Sequence, residues 1–149
     1  MTNTFNGNSL INGEWTEGKG DRFASICPAT GDTVWQGREA SADQVSNAVQ
    51  AARHAFYVWS QRPPRERRDI LERYACELGT RRELIAEAIS RDMGKLIDEA
   101  RGEADSMVAK IAVSISAQNE RAGDKFRRTD FGNLHLTHKP HGVMAVFGP

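Results

Sequence analysis

The residues in this chain that could do chemistry are scattered. His135, His138 and His141 stand three apart. On a helix that spacing would turn the imidazoles to one face and offer nitrogens to a metal. Pro140 and the alternating residues around it point to extended chain, where the three rings diverge, and no acidic or cysteine partner adjoins them. No metal site is expected. Cys27 and Cys76 invite a nucleophile, but a reactive thiolate needs a neighbouring base or an electropositive setting. Cys27 precedes Pro28 in a β segment and Cys76 lies beside the apolar stripe of a helix. Both are expected to be small buried hydrophobes. Arg62, Arg65, Arg67, Arg68, Arg73, Arg81 and Arg82 could form an anion patch. Against that, Arg68–Glu72, Asp69–Arg73 and Glu77–Arg81 are four apart and can pair along a helix surface. The glycine-rich dinucleotide and phosphate loops and the His-Glu-x-x-His zinc motif do not occur. No catalytic set can be assembled from these residues.

Composition narrows the class. The 149 residues hold 20 basic and 20 acidic side chains, a formal net charge of zero. That balance gives no basic excess to attract nucleic acid. Hydrophobic residues are 39% and charged residues 27%, as in a soluble globular protein. No apolar stretch approaches the about 20 residues that cross a bilayer, and Met1 to Ser9 lacks the regions of a secretory signal. Two distant cysteines form no disulfide framework. A reducing, cytoplasmic setting is expected.

The elements that position these residues fall into three stretches. Leu10 to Trp15 reads as a strand and turn; Arg22 to Cys27 and Thr33 to Trp35 read as strands around the turn Pro28-Ala29-Thr30-Gly31-Asp32. Helices follow. Ser41-Ala42-Asp43-Gln44 has capping-box form, ahead of an apolar face of Val45, Ala48, Val49, Ala52, Phe56 and Trp59. Pro64 suits the first turn of the next helix, lined by Ile70, Leu71, Tyr74, Ala75 and Leu78 and closed by Gly79 in a left-handed conformation. Thr80-Arg81-Arg82-Glu83 reads as a second capping box, leading Leu84, Ile85, Ala88 and Ile89 to a stop at Gly94. A fourth helix carries Ile97, Ala100, Ala104, Met107, Val108, Ile111 and Ile115 towards an exit at Gly123.

From Phe131 the pattern is extended again. Leu134, Leu136 and His138 alternate with His135 and Thr137, as in a half-buried strand. Val143 to Phe147 then form a continuous apolar run between glycines, which reads as a strand buried on both faces of a parallel sheet. Ligands bind at the carboxyl ends of such strands. The fold class expected is α/β, and the chain reads as the front section of a larger enzyme.

Five segments in order carry a resemblance. They are Leu10-Ile11-Asn12-Gly13-Glu14-Trp15, Pro28-Ala29-Thr30-Gly31-Asp32, Ala51-Ala52-Arg53-His54-Ala55-Phe56, Asp92-Met93-Gly94-Lys95 with Glu99-Ala100, and Lys139 to Pro149. Together they resemble the amino-terminal portion of the NAD(P)-dependent aldehyde dehydrogenase superfamily. Thr33 to Gly37, Lys110 to Ile115 and His138 to Pro149 are similar to one bacterial branch, which oxidises a succinylated semialdehyde in arginine catabolism. Met93 and Leu96 depart from the threonine and proline common at those places, at a helix junction remote from chemistry.

The resemblance implies an oxidoreductase with NAD as cofactor, a small-molecule aldehyde as substrate and a homo-oligomeric assembly, without nucleic acid or membrane. In the family a cysteine thiolate attacks the aldehyde, an asparagine and a backbone amide hold the oxyanion, and a glutamate activates water. None of those catalytic side chains is expected within these 149 residues. The matching positions are Phe147, Gly148 and Pro149, which correspond to the family's cofactor-contacting wall. The implied layout is a polar leader (1–8), the β and helical part of the cofactor domain (9–132), the start of an oligomerisation arm (133–141) and the first strand of the dinucleotide-binding sheet (142–149). On this reading the isolated chain is association-prone and has no dehydrogenase activity. The other reading is a small helical interaction protein derived from the same fold.

Overall fold

Asn12 and Gly13 carry the first turn, with φ of 53° and 84°. Positive φ at both central residues gives the twist that a two-residue hairpin needs. In the computed structural model, which describes residues 6–148, this turn joins β1 (Ser9–Ile11) to β2 (Glu14–Thr16), with Leu10 opposite Trp15. A second antiparallel pair follows, β3 (Arg22–Ile26) and β4 (Thr33–Arg38). Phe23 meets Trp35 edge to face across it, ring centroids 5.0 Å apart.

The four expected helices are present: α1 (Ala42–Gln61), α2 (Pro64–Thr80), α3 (Arg82–Met93) and α4 (Ile97–Arg121). The capping box forms at the head of α1. Ser41 Oγ accepts from the Gln44 amide at 3.3 Å, and Gln44 Oε1 accepts from the Ser41 amide at 3.0 Å. Pro64 opens α2. Gly94 closes α3 at φ 67°.

Two expected signals act differently. Gly79 does not take a left-handed conformation, because α2 runs through it to Thr80. Thr80 does not cap α3 either. Its hydroxyl donates back to the Glu77 carbonyl at 2.8 Å, and Arg81 stands at the N-cap of α3 with no side-chain cap bond. The local helix thus claims the hydroxyl that the next one would need.

The core lies where α3 and α4 touch. Ala86 of α3 and Ala100 and Ala104 of α4 are fully buried, with Ile85, Ile89 and Ile97 packed around them. Ala100 and Ala104 are one turn apart, so their methyl groups share the face of α4 that meets α3. The apolar face of α1 is much more open; Val45 is 53% exposed.

The third hairpin corrects two expectations. β5 (Lys125–Thr129) precedes β6 (Gly132–Leu136) and pairs with it. Lys125-Phe126-Arg127-Arg128 has no alternation to announce a strand; pairing with β6 makes it one. Every residue of β6 is exposed, so Leu134 and Leu136 cover no core and the strand ends before His138. Residues 142–148 pair with no strand among the described residues. A strand is defined by a neighbour's hydrogen bonds, and here the apolar run from Val143 is extended chain without one.

Candidate functional site

Gln44 organises the junction on which the extended segment rests. It is the one buried polar residue among those described, 5% exposed. Its Nε2 donates to the Glu17 carbonyl at 2.8 Å, and its Oε1 accepts from the Lys19 amide at 2.9 Å as well as from Ser41. One side chain therefore caps α1 and fixes the loop after β2. Gly18 lies within that loop, so close to the Arg38 and Glu39 carbonyls that no Cβ could be placed there.

Beside this junction, an open groove of about 340 Å³ runs between β1, α1 and the extended segment. Leu10, Val45, Val49, Val143 and Met144 are among its lining residues. The groove is apolar and holds no group able to move a proton. It brings the start of the 142–148 segment onto α1 and leaves Phe147 projecting, 92% exposed. A Cβ built on Gly148 would meet nothing within 4 Å. Pro149, the last of the three residues matched to a cofactor wall, lies outside the described residues.

The thiols separate. Cys27 is buried at the foot of the turn between β3 and β4, as expected. Its amide donates to the Asp32 carbonyl and its carbonyl accepts from the Gly31 amide, each at 2.8 Å. The Thr30 hydroxyl, with the amides of Ala29 and Thr30, donates to the sulfur and holds its pKa below the ordinary thiol value. Cys76 is exposed on α2, against expectation. It stands beside the stripe of Leu71, Tyr74 and Leu78, and that stripe is itself partly open.

The histidines are spread over different surroundings. His135 lies against the Phe126 ring at a centroid distance of 5.0 Å, with Nε2 3.9 Å from Asp124. His138 joins Lys139 at a separate cavity. Of the three helical ion pairs expected from spacing, Glu77–Arg81 forms at 3.8 Å; Arg68 turns instead to Asn119. The strongest charge network was not foreseen. Arg82 grips the Asp105 carboxylate through Nε and Nη2, the latter at 2.8 Å, and also meets Glu83. Arg101 then holds Glu83 at 3.1 Å and Asp98 at 2.9 Å. This network joins α3 to α4. Asp92, at the end of α3, accepts from the Ser25 hydroxyl and ties β3 to the helices.

The described residues thus provide a helical support and a presented extended segment, with no nucleophile and base in contact. Comparison with known proteins gives that arrangement a context. A profile of the aldehyde dehydrogenase family matches residues 15–149. The N-succinylglutamate 5-semialdehyde dehydrogenase of Paraburkholderia xenovorans (strain LB400) is 50% identical over 140 residues, which are 94% of this chain and 29% of the relative. The protein of the same name from Chromohalobacter salexigens is 45% identical over the same shares. This chain therefore spans about 29% of the length of the curated relatives it matches. Among solved structures, the NADP-dependent glyceraldehyde-3-phosphate dehydrogenase from Bacillus halodurans C-125 superposes with a TM-score of 0.77 at 32% identity, covering 86% of this chain and 27% of that one. The NAD-dependent benzaldehyde dehydrogenase from Corynebacterium glutamicum gives 0.73 at 27% identity, over 83% and 27%.

Proposed function

This chain belongs to the aldehyde dehydrogenase family, and from that premise we propose that it is the amino-terminal part of an N-succinylglutamate 5-semialdehyde dehydrogenase. The whole enzyme would oxidise N-succinylglutamate 5-semialdehyde to N-succinylglutamate in arginine catabolism, in the cytoplasm. One observation carries the reading: 50% identity over 140 residues to a relative of that name, nearly the whole of this chain.

In this proposal NAD is the cofactor, and when bound it accepts the hydride that leaves the aldehyde carbon. Phe147, Gly148 and Pro149 would form part of its wall. The described part of that segment fits such a role: its backbone is unpaired, Phe147 presents a free ring, and Gly148 lets a flat ligand approach closely. The rest of the chain positions this wall. Val143 and Met144 seat the segment on α1, and Gln44 fixes the head of α1. The reactive cysteine, the asparagine and the glutamate belong to the portion of the family beyond these residues. Residues 133–141, with most of β6, would begin the arm through which subunits associate, and residues 142–149 would enter the dinucleotide-binding sheet.

A chimera tests the proposal. The matching 140-residue portion of the Paraburkholderia xenovorans protein is replaced by this chain, and the oxidation of N-succinylglutamate 5-semialdehyde is followed with NAD and with NADP. Turnover of that aldehyde with NAD, faster than turnover of benzaldehyde or glyceraldehyde 3-phosphate, is the expected result. A folded chimera that prefers another aldehyde would refute it.

A further inference from the structure

Four helical arginines are half-buried: Arg67, Arg68, Arg82 and Arg101. Arg82 and Arg101 each hold two carboxylates. Arg67 and Arg68 hold none among the described residues. Two neighbouring guanidinium charges without a counter-charge repel each other, so a pair of this kind favours an anion held between them.

Both arginines line a cavity of about 590 Å³ between the start of α2 and the end of α4. Lys139 and His138 enter from the segment after β6, and Trp59 and Asp124 also line it. Lys139 has no carboxylate partner among the described residues either. Arg68 Nη2 donates to Asn119 Oδ1 at 3.3 Å, which steadies the guanidinium without neutralising it. Asp124 is the single carboxylate in the lining, and it stands 3.9 Å from His135. The cavity therefore carries a local positive excess in a chain of zero net charge.

We propose that this cavity binds a small organic or inorganic dianion, its charged groups on Arg67, Arg68 and Lys139 and its body against Trp59. Guanidinium forks suit phosphate or carboxylate oxygens, and an indole face suits the flat or apolar remainder. The inference is independent of the reading given above for the extended segment, since it uses different residues on the opposite end of α1.

Tryptophan fluorescence of the 149-residue chain is titrated with pyrophosphate and, separately, with malonate, at constant ionic strength set by sodium chloride. A saturable change with either dianion is expected, absent in Trp59→Phe, and the tighter of the two tells phosphate from carboxylate as the preferred group. Arg68→Gln should weaken binding about tenfold, the loss of one charged hydrogen bond. Lys139→Gln lies in no helix or strand and should weaken binding by a smaller factor, so it decides the matter if Arg68→Gln changes the helix content by circular dichroism. A signal that does not saturate with either dianion overturns the proposal. So does one that both variants leave unchanged.

Discussion

Gln44 Nε2 donates to the Glu17 carbonyl at 2.8 Å, across 27 positions of sequence. The same carboxamide accepts from the Lys19 and Ser41 amides, so the head of α1 and the loop after β2 share one side chain. Gln44→Ala leaves those partly buried backbone groups without their side-chain partner, at a cost of about 1 kcal/mol. Hydrogen exchange at the Lys19 amide reads the effect directly. Its protection should fall with the substitution, while exchange at the Ala100 amide in α4 stays as it was. Unchanged protection at Lys19 would show that the loop is held by other means.

Gly94 shows a position where conformation and space both demand glycine. Its φ is 67°, and a Cβ built there would stand 2.7 Å from Pro28 Cγ. Gly13 has a similar φ of 84° but nothing within 4 Å. Gly13→Ala should therefore cost about 1 kcal/mol, for the left-handed backbone alone. Gly94→Ala should cost more, because Pro28 and the β3–β4 turn must also shift off the end of α3. Comparing the denaturation midpoints of the two variants isolates the contact. Equal midpoints would mean that Pro28 yields freely.

What the residues announced in advance were the features set by near neighbours. Ser41 and Gln44, three apart, do form the capping box, and Pro64 and Gly94 begin and end helices as their backbone preferences require. Failures came where a distant or competing partner decides. Thr80 spends its hydroxyl on Glu77, one turn back, instead of capping α3. The strand character of Lys125–Thr129 arises from pairing with Gly132–Leu136 and leaves no periodic trace. Gln44 was visible as a cap, but its second role needed Glu17 and Lys19, 27 and 25 positions away. The match of Phe147, Gly148 and Pro149 to a cofactor wall came from family resemblance; no local chemistry in the chain would have singled them out.

The Arg82–Asp105 pair predicts how the α3–α4 contact responds to acid. Hydrogen bonds from the Arg82 guanidinium hold the Asp105 carboxyl below the usual carboxylate value. A depressed carboxylate stabilises the fold above its unfolded pKa, about 4, and that contribution is lost as pH falls through the lower folded value. Helix content followed by circular dichroism from neutral pH to about pH 2 should therefore show an acid-side loss that Asp105→Asn reduces. Because both side chains face solvent in part, added salt should blunt the difference between the two proteins. If they lose helix in parallel over the whole range, this pair does not govern the transition.

Cys27 offers the sharpest contrast between burial and reactivity. The Thr30 hydroxyl and the amides of Ala29 and Thr30 donate to its sulfur and lower its pKa, with the hydroxyl the largest contributor. Thr30→Val removes that hydroxyl and keeps the shape, so the pH midpoint of Cys27 alkylation should move upward. Mass spectrometry after timed iodoacetamide exposure can follow Cys27 and the exposed Cys76 in the same sample. Burial and thiolate character act oppositely on Cys27: the first slows the reagent's access, and the second raises the fraction of sulfur able to react. The midpoint reports only the second. An upward move at Cys27 with Cys76 unchanged assigns the shift to the Thr30 hydroxyl; no movement at Cys27 would assign the lowering to the two backbone amides instead.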